Sequence, residues 1–383
     1  MIEDTTGGSS INRRAFLGSC AHAGALGLTA AAVTGCPCLP GITRDGTHPS
    51  DFAVYNADIF TSNAARPSAQ AVAVLEGRFV YVGDNDGVLD FIGPNTRVVN
   101  ARGRLVTPGF IDNHCHYLWI GGLWGVMGNV YEATSLETLT RMVREYGEGN
   151  QELPFVMTIG WRYDYIAGGL PDTAVADTIV SDRPLIMWSY DGHTGWLNSR
   201  ALADMVEANL AAFLQLTPEQ DPETGAYTGI LLDFQQFNPF DYYDIATPGA
   251  DIENRIFTSM GNVLSEALSY GVTTINDVQL YEGYLPTVRR FHEQGGLDQM
   301  RVRGSYYISP HALEDEPAIR QKLEAWRTLA PQYSSGHLYL GDSVKLYIEG
   351  ITSNHTALML EPYSDRPGFY GEAYWTQEDF NRI

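Results

Sequence analysis

The chain has 383 residues, 44% of them hydrophobic and 18% charged, a composition that supports more than one packed core and excludes an intrinsically disordered protein. Its formal net charge of −22 argues against nucleic acid or an anionic membrane surface as an electrostatic partner, because both need clustered Lys and Arg.

The N-terminus reads as an export address. In "SINRRAFLGSC", Arg13 and Arg14 precede an Ala- and Gly-rich stretch from Ala15 to Val33, and the pair resembles a twin-arginine signal. Val33, Thr34, Gly35 and Cys36 follow and resemble a lipobox, whose cysteine is lipidated after cleavage. His22 and the many small residues make the stretch a poor membrane-spanning helix. The expectation is a signal peptide over 1–35 and a tether over 36–50, with export by the twin-arginine route and membrane attachment, outside the cytoplasm, through lipidated Cys36. Removing 1–35 leaves Cys36, Cys38 and Cys115, too few thiols for a disulfide framework.

From Asp51 the text becomes short alternating runs. "AVAVLEGRFVYVG" predicts two strands around a Glu76–Gly77 turn, and "TRVVNARGRLVTPG" predicts another pair around Arg102–Gly103. Residues 51–107 therefore read as a small β unit, too small to stand alone. Beyond Pro108 strands alternate with helices over 108–383. "TSLETLTRMVREY" carries a capping box, Thr134 with Glu137, ahead of a helix. Ile256, Met260, Val263, Leu264 and Ala267 form one helical stripe that Gly271 caps. Strands are predicted at "VTTIND" (272–277), "MRVRGSYYI" (300–308) and "SVKLYI" (343–348), with helical text such as "AIRQKLEAWRTLA" between them. That alternation is the signature of an α/β fold with a parallel sheet.

The chemistry begins at "TPGFIDNHCHY" (107–117). On a strand His114 and His116 project from one face while Cys115 faces the other way, and two imidazoles on one face are half of a metal site. Alone, the pair reads equally as two satisfied histidines. Its place at the carboxyl end of a strand in a β/α alternation is where such folds assemble active sites.

"VVNARGRLVTPGFIDNHCH" is similar to the first barrel strand of the amidohydrolase superfamily, and the preceding β runs resemble that superfamily's N-terminal sandwich. "SYDGHTGWLNSRAL", "DPETGAYTGILLDF", "ALSYGVTTINDV" and "VKLYIEGITSNHTALMLEPYSD" follow in the order of the amidohydrolase family 3 branch, which contains N-substituted formamide deformylases. The resemblance implies the first half of a TIM-like (β/α)8 barrel, interrupted by an insertion at about 118–250.

It also implies roles. His114 and His116 would ligate a divalent metal, zinc as the first choice with one or two ions, and Asp112 on their strand face would orient the site from behind. Lys345 falls where the family has a lysine that is carboxylated to bridge two metals; the plain alternatives are a lysine reaching to solvent or pairing with Glu349. His193 would hydrogen-bond the substrate or an oxyanion, or else be a turn histidine. Trp196 and Asn198 read as packing and turn residues, Asp233 sits where relatives often carry Glu, and Asn276 receives no role. The implied reaction is metal-assisted hydrolysis of a non-peptide C–N bond in a small amide or cyclic amide.

Superfamily barrels draw two further histidines and an aspartate from later strands, whereas this text reaches Ile383 just after the fourth. The expectation is an N-terminal fragment that hydrolyses little by itself. The alternative is a catalytically incomplete exported lipoprotein, a binding module or pseudoenzyme, and a cytosine-deaminase-like or hydantoinase-like specificity is a third reading.

Overall fold

The computed structural model describes residues 49–166, 170–214, 216–232, 250–280, 282–308 and 316–382. The segments expected to be a signal peptide, a lipobox with Cys36 and a tether, apart from the last residues of the tether, lie outside the described residues, as does Asp233. The chain divides into two units between Pro108 and Gly109.

In the first unit, β1 (Phe52–Tyr55), β2 (Asp58–Phe60), β3 (Ser68–Ala69), β4 (Ala71–Leu75), β5 (Arg78–Gly83), β6 (Arg97–Asn100) and β7 (Leu105–Val106) build two sheets, ordered β5-β4-β1-β6 and β3-β2-β7. Alternation sends Ala53, Ala71 and Ala73 to one small core with Val88 and Ile92. Val54 and Val72 turn to a second core with Ile59 and Ala101. β4 and β5 pair antiparallel around Glu76 and Gly77, both at positive φ, as the sequence predicts. The second predicted hairpin does not form: β6 lies parallel to β1, and β7 lies parallel to β2. The reason is a paired bend. Asn56 (φ 51°) turns the chain between β1 and β2, and Arg102 (φ 56°) with Gly103 turns it between β6 and β7. The two bends are tied by Gly103 N–H donating to the Asn56 carbonyl at 2.7 Å, so both strands leave one sheet together and enter the other.

The second unit opens with β8 (Phe110–Cys115). An insertion follows whose strands β9 (Gly128–Asn129), β10 (Val156–Trp161), β11 (Leu185–Ser189), β12 (Gly195–Leu197), β13 (Pro218–Gln220) and β14 (Tyr227–Leu231) form their own mixed sheet, ordered β13-β14-β12-β11-β10-β9. The helix Leu136–Glu148 is capped one residue later than the sequence suggested. Ser135, in extended backbone, accepts from the Thr138 N–H while the Thr138 hydroxyl accepts from Ser135 N–H, and Glu137 adds a charge to the first turn. Trp196 is buried with its indole N–H on the Asp172 carbonyl, and Asn198 caps the helix Ser199–Ala208. Both are packing and turn residues, as read.

β15 (Val272–Leu280), β16 (Arg301–Tyr307) and β17 (Leu338–Lys345) then complete a parallel sheet in the order β17-β16-β15-β8. "VTTIND" and "SVKLYI" thus share one sheet with "MRVRGSYY" between them. The last strand starts at Leu338 and ends at Lys345, earlier than the predicted 343–348. Cys115, Ile275, Val302, Tyr306, Leu338 and Leu340 turn to the large core under the helices Ala250–Ser269, Leu285–Glu293 and Glu316–Tyr333. Tyr306 stacks on Trp326 at 4.7 Å between ring centroids. The Ile256–Met260–Leu264–Ala267 stripe is buried, Val263 is half-buried, and Gly271 (φ 85°) closes the helix with its N–H on the Leu268 carbonyl. The fold is α/β, four strands of TIM type with helices on one side, and among the described residues no barrel closes.

Candidate metal centre

Because Cys115 is in the core, its neighbours His114 and His116 take the opposite face of β8, at its carboxyl end. Their rings meet edge to face, with centroids 5.8 Å apart. His116 is mostly buried, and its Nδ1 is a buried polar atom without a hydrogen-bond partner. Burial, the neighbouring His114 and the charge of Lys345 together push the His116 pKa down to about 4, so its imidazole is neutral at pH 7. A neutral imidazole with a buried, unengaged nitrogen is what a metal ligand requires.

Lys345, the last residue of β17, stands opposite Tyr307 in register, with Nζ 4.6 Å from the centre of the Tyr347 ring. Partial burial lowers its pKa. Its charge contributes to lowering the His116 pKa, although β17 and β8 are the two outer strands of the sheet. Asp112 does not touch either imidazole ring by hydrogen bond among the described contacts. One carboxylate oxygen accepts the His114 N–H at 3.1 Å and the other accepts the Tyr117 hydroxyl at 2.9 Å. It therefore holds the backbone of the histidine strand rather than orienting a ring. Among the described residues no three His, Cys, Asp or Glu side chains converge as a metal cluster. The histidines face each other at the strand end, and Lys345 is linked to them through its charge on His116.

His193 lies in the tight loop between β11 and β12, and its N–H donates to Asp191 at 3.1 Å. The same carboxylate receives the hydroxyls of Ser189 at 2.5 Å and Ser353 at 2.6 Å. Ser353 belongs to the segment following Lys345, so Asp191 ties the His193 loop to the carboxyl end of the parallel sheet. The two histidines are brought together, Lys345 lies at the carboxyl end of the same sheet, and His193 stands on a separate loop bound to that end.

Two residues that received no role from the sequence make contacts beside the histidine strand. Asp277, fully buried near the end of β15, accepts the Leu118 N–H at 2.8 Å and so anchors the turn that follows His116. Burial pushes its pKa up to about 7. The other is Asn276, which bridges strands. An acid followed by Val278 at the end of a strand predicted to be buried is the signal that could have found Asp277. Burial, reinforced by the Asp277 carboxyl, also pushes the Cys115 thiol up to about 12, which makes it an inert core residue.

Residues 97–383 match the family model described as "Amidohydrolase family". The exoenzymes regulatory protein AepA of Pectobacterium carotovorum subsp. carotovorum is 27% identical over 349 residues, which cover 88% of this chain and 71% of that protein. The N-substituted formamide deformylase of Arthrobacter pascens is 22% identical over 317 residues, covering 79% of this chain and 55% of its own length. Among solved structures, an uncharacterized metal-dependent hydrolase from Pyrococcus horikoshii superposes with a TM-score of 0.58 at 22% identity, over 86% of this chain and 61% of that one. This last likeness is one of fold. The chain spans little more than half the length of the deformylase and of the solved hydrolase.

Proposed function

The chain belongs to the amidohydrolase family, and from that premise we propose that it serves metal-assisted hydrolysis of a non-peptide C–N bond in a small amide. The observation that carries the reading is the histidine pair at the carboxyl end of the first barrel strand, with the unpartnered, buried Nδ1 of His116. The name of the Arthrobacter relative supports an N-substituted amide as the substrate class. A bound divalent ion, zinc by the preference of imidazole donors, would supply a water acidified towards neutrality and a Lewis acid for the carbonyl.

The chain's own residues would act as follows. His114 and His116 hold the ion as neutral donors, and burial keeps His116 in that form. Asp112 fixes the His114 backbone, and its two oxygens are already engaged, so the proton delivered to the leaving nitrogen is not assigned to it. Lys345 would react through its amine with carbon dioxide, forming an N–C bond and losing one proton to give a carbamate oxygen ligand, a reaction that the lowering of its pKa by burial favours. His193 would hydrogen-bond the substrate or an intermediate oxyanion.

The lack of a third His, Cys, Asp or Glu beside the pair among the described residues favours a second reading, an incomplete catalyst that binds without turnover. Zinc titration of the metal-free chain, with hydrolysis of N-formyl and N-acyl amines, separates the two. Zinc uptake lost in His116→Ala, with turnover in the unaltered chain, supports the first reading. Uptake without turnover supports the second, and no uptake removes both. Export as a lipoprotein belongs to the same proposal: labelled palmitate should enter the chain in an expressing host and not its Cys36→Ser variant.

A further inference from the structure

Three side chains cross the face of the parallel sheet just below the metal pair. The Asn276 amide nitrogen donates to the Asn113 carbonyl at 3.3 Å, its oxygen accepts the Ser305 hydroxyl at 3.3 Å, and Ser305 meets Ser343 at 2.8 Å. The ladder thus runs from β8 through β15 and β16 to β17, the strands that carry His114 and Lys345 at its two ends. Its direction is fixed. A carbonyl can only accept, so Asn276 must point its nitrogen at Asn113; its oxygen then needs a donor, which is Ser305, and Ser305 in turn needs Ser343 as donor.

The ladder also sits where the main chain stops setting register. All three strand pairings are irregular at this level: β8 with β15 between Ile275 and Asp277, β15 with β16 between Asp277 and Leu280, and β16 with β17 between Gly304 and Tyr306. Such bulges re-aim side chains beside active sites and leave the local strand spacing under-determined by backbone hydrogen bonds. Ser305 is only 3% exposed, so its hydroxyl bonds are shielded from water and correspondingly strong.

We propose that Asn276, Ser305 and Ser343 are positioning residues that set the separation of Lys345 from the histidine pair across these bulges. The inference rests on the metal-site reading above. Zinc alone, titrated into the metal-free 383-residue chain, is the probe, with visible absorption of the cobalt-loaded chain as a reporter of ligand geometry. Ser305→Ala and Ser343→Ala should each weaken zinc binding about 10- to 100-fold, the range found when supporting partners of metal ligands are removed. The double variant should lose little more than either single one, because one broken link severs the ladder. Ser343→Thr keeps a hydroxyl and should restore both affinity and the cobalt spectrum.

A chain that takes up no zinc overturns the metal reading and the ladder's role with it. If the unaltered chain binds zinc while the alanine variants, folded by near-ultraviolet circular dichroism, match its affinity and cobalt spectrum, the metal reading stands and the ladder is overturned. Should Ser305→Ala fail to fold, Ser343→Ala decides by itself, since it removes only the outermost bond at a half-buried position.

Discussion

Asn198 shows how much one polar side chain can carry when every one of its atoms is engaged. Fully buried, it accepts the N–H groups of Leu185 and Ala201 and donates to the carbonyls of Val180 and Arg183. Asn198→Ala removes a helix cap and strands buried partners, so chemical denaturation should show a loss of about 2–4 kcal/mol. Asp277 behaves differently because burial raises its pKa from 3.8 to about 7. Between those values the folded chain keeps a proton that the unfolded chain has released, so this group's contribution to stability is full below about pH 4 and falls as pH rises through about 7. Asp277→Asn should flatten that fall, by on the order of 4 kcal/mol at most, in denaturation curves taken across the window. An unchanged pH slope would refute the assignment. At this scale the histidine pair was legible, since strand alternation alone puts His114 and His116 together. Asp277 and Asn276 were not, because a polar residue at a strand end looks the same in sequence whether it meets water or a buried N–H.

Elements repeat the lesson with backbone geometry in place of side chains. The Glu76–Gly77 and Arg102–Gly103 turns are almost identical as text, yet one closes a hairpin and the other transfers a strand between sheets. The difference lies in the second bend at Asn56, which no local pattern announces. Gly160 is a similar hidden constraint: it lies at the bulge between β10 and β11 with φ 119°, and a Cβ there would meet the Tyr131 backbone nitrogen at 2.6 Å. Gly160→Ala should therefore cost more than about 2 kcal/mol in equilibrium unfolding, through strain and clash together. The His193 loop offers a complementary test. Asp191→Ala removes the acceptor for Ser189, His193 and Ser353 together. Amide exchange should then rise many-fold at 189–194 and after Lys345, with zinc affinity unchanged; exchange confined to one of the two segments would show that they are not coupled.

For the whole molecule, the alternation of strands and helices was enough to read a parallel α/β sheet, and the stripe on Ala250–Ser269 was legible as that helix's buried face. The insertion's own six-stranded sheet was beyond reach, since it mixes parallel and antiparallel pairs and includes strands of only two or three residues. The net charge of −22 has a global consequence that local contacts do not show: self-repulsion opposes compactness. Raising sodium chloride from about 0.01 M to about 0.2 M should lift Tm by several degrees as the Debye length shortens, and a fall would mean that ion pairs dominate. The pairing of β8 with β15 bears on how the chain reaches this state. Cys115 touches Asn276, 161 positions away, with the whole insertion between them. During synthesis the histidine strand emerges early and waits for a partner, while β10, β11 and β12 find one another at short range and collapse first. Closing the long loop is then the late and slow event, so in stopped-flow refolding, zinc present from the start should be captured only in the slowest phase.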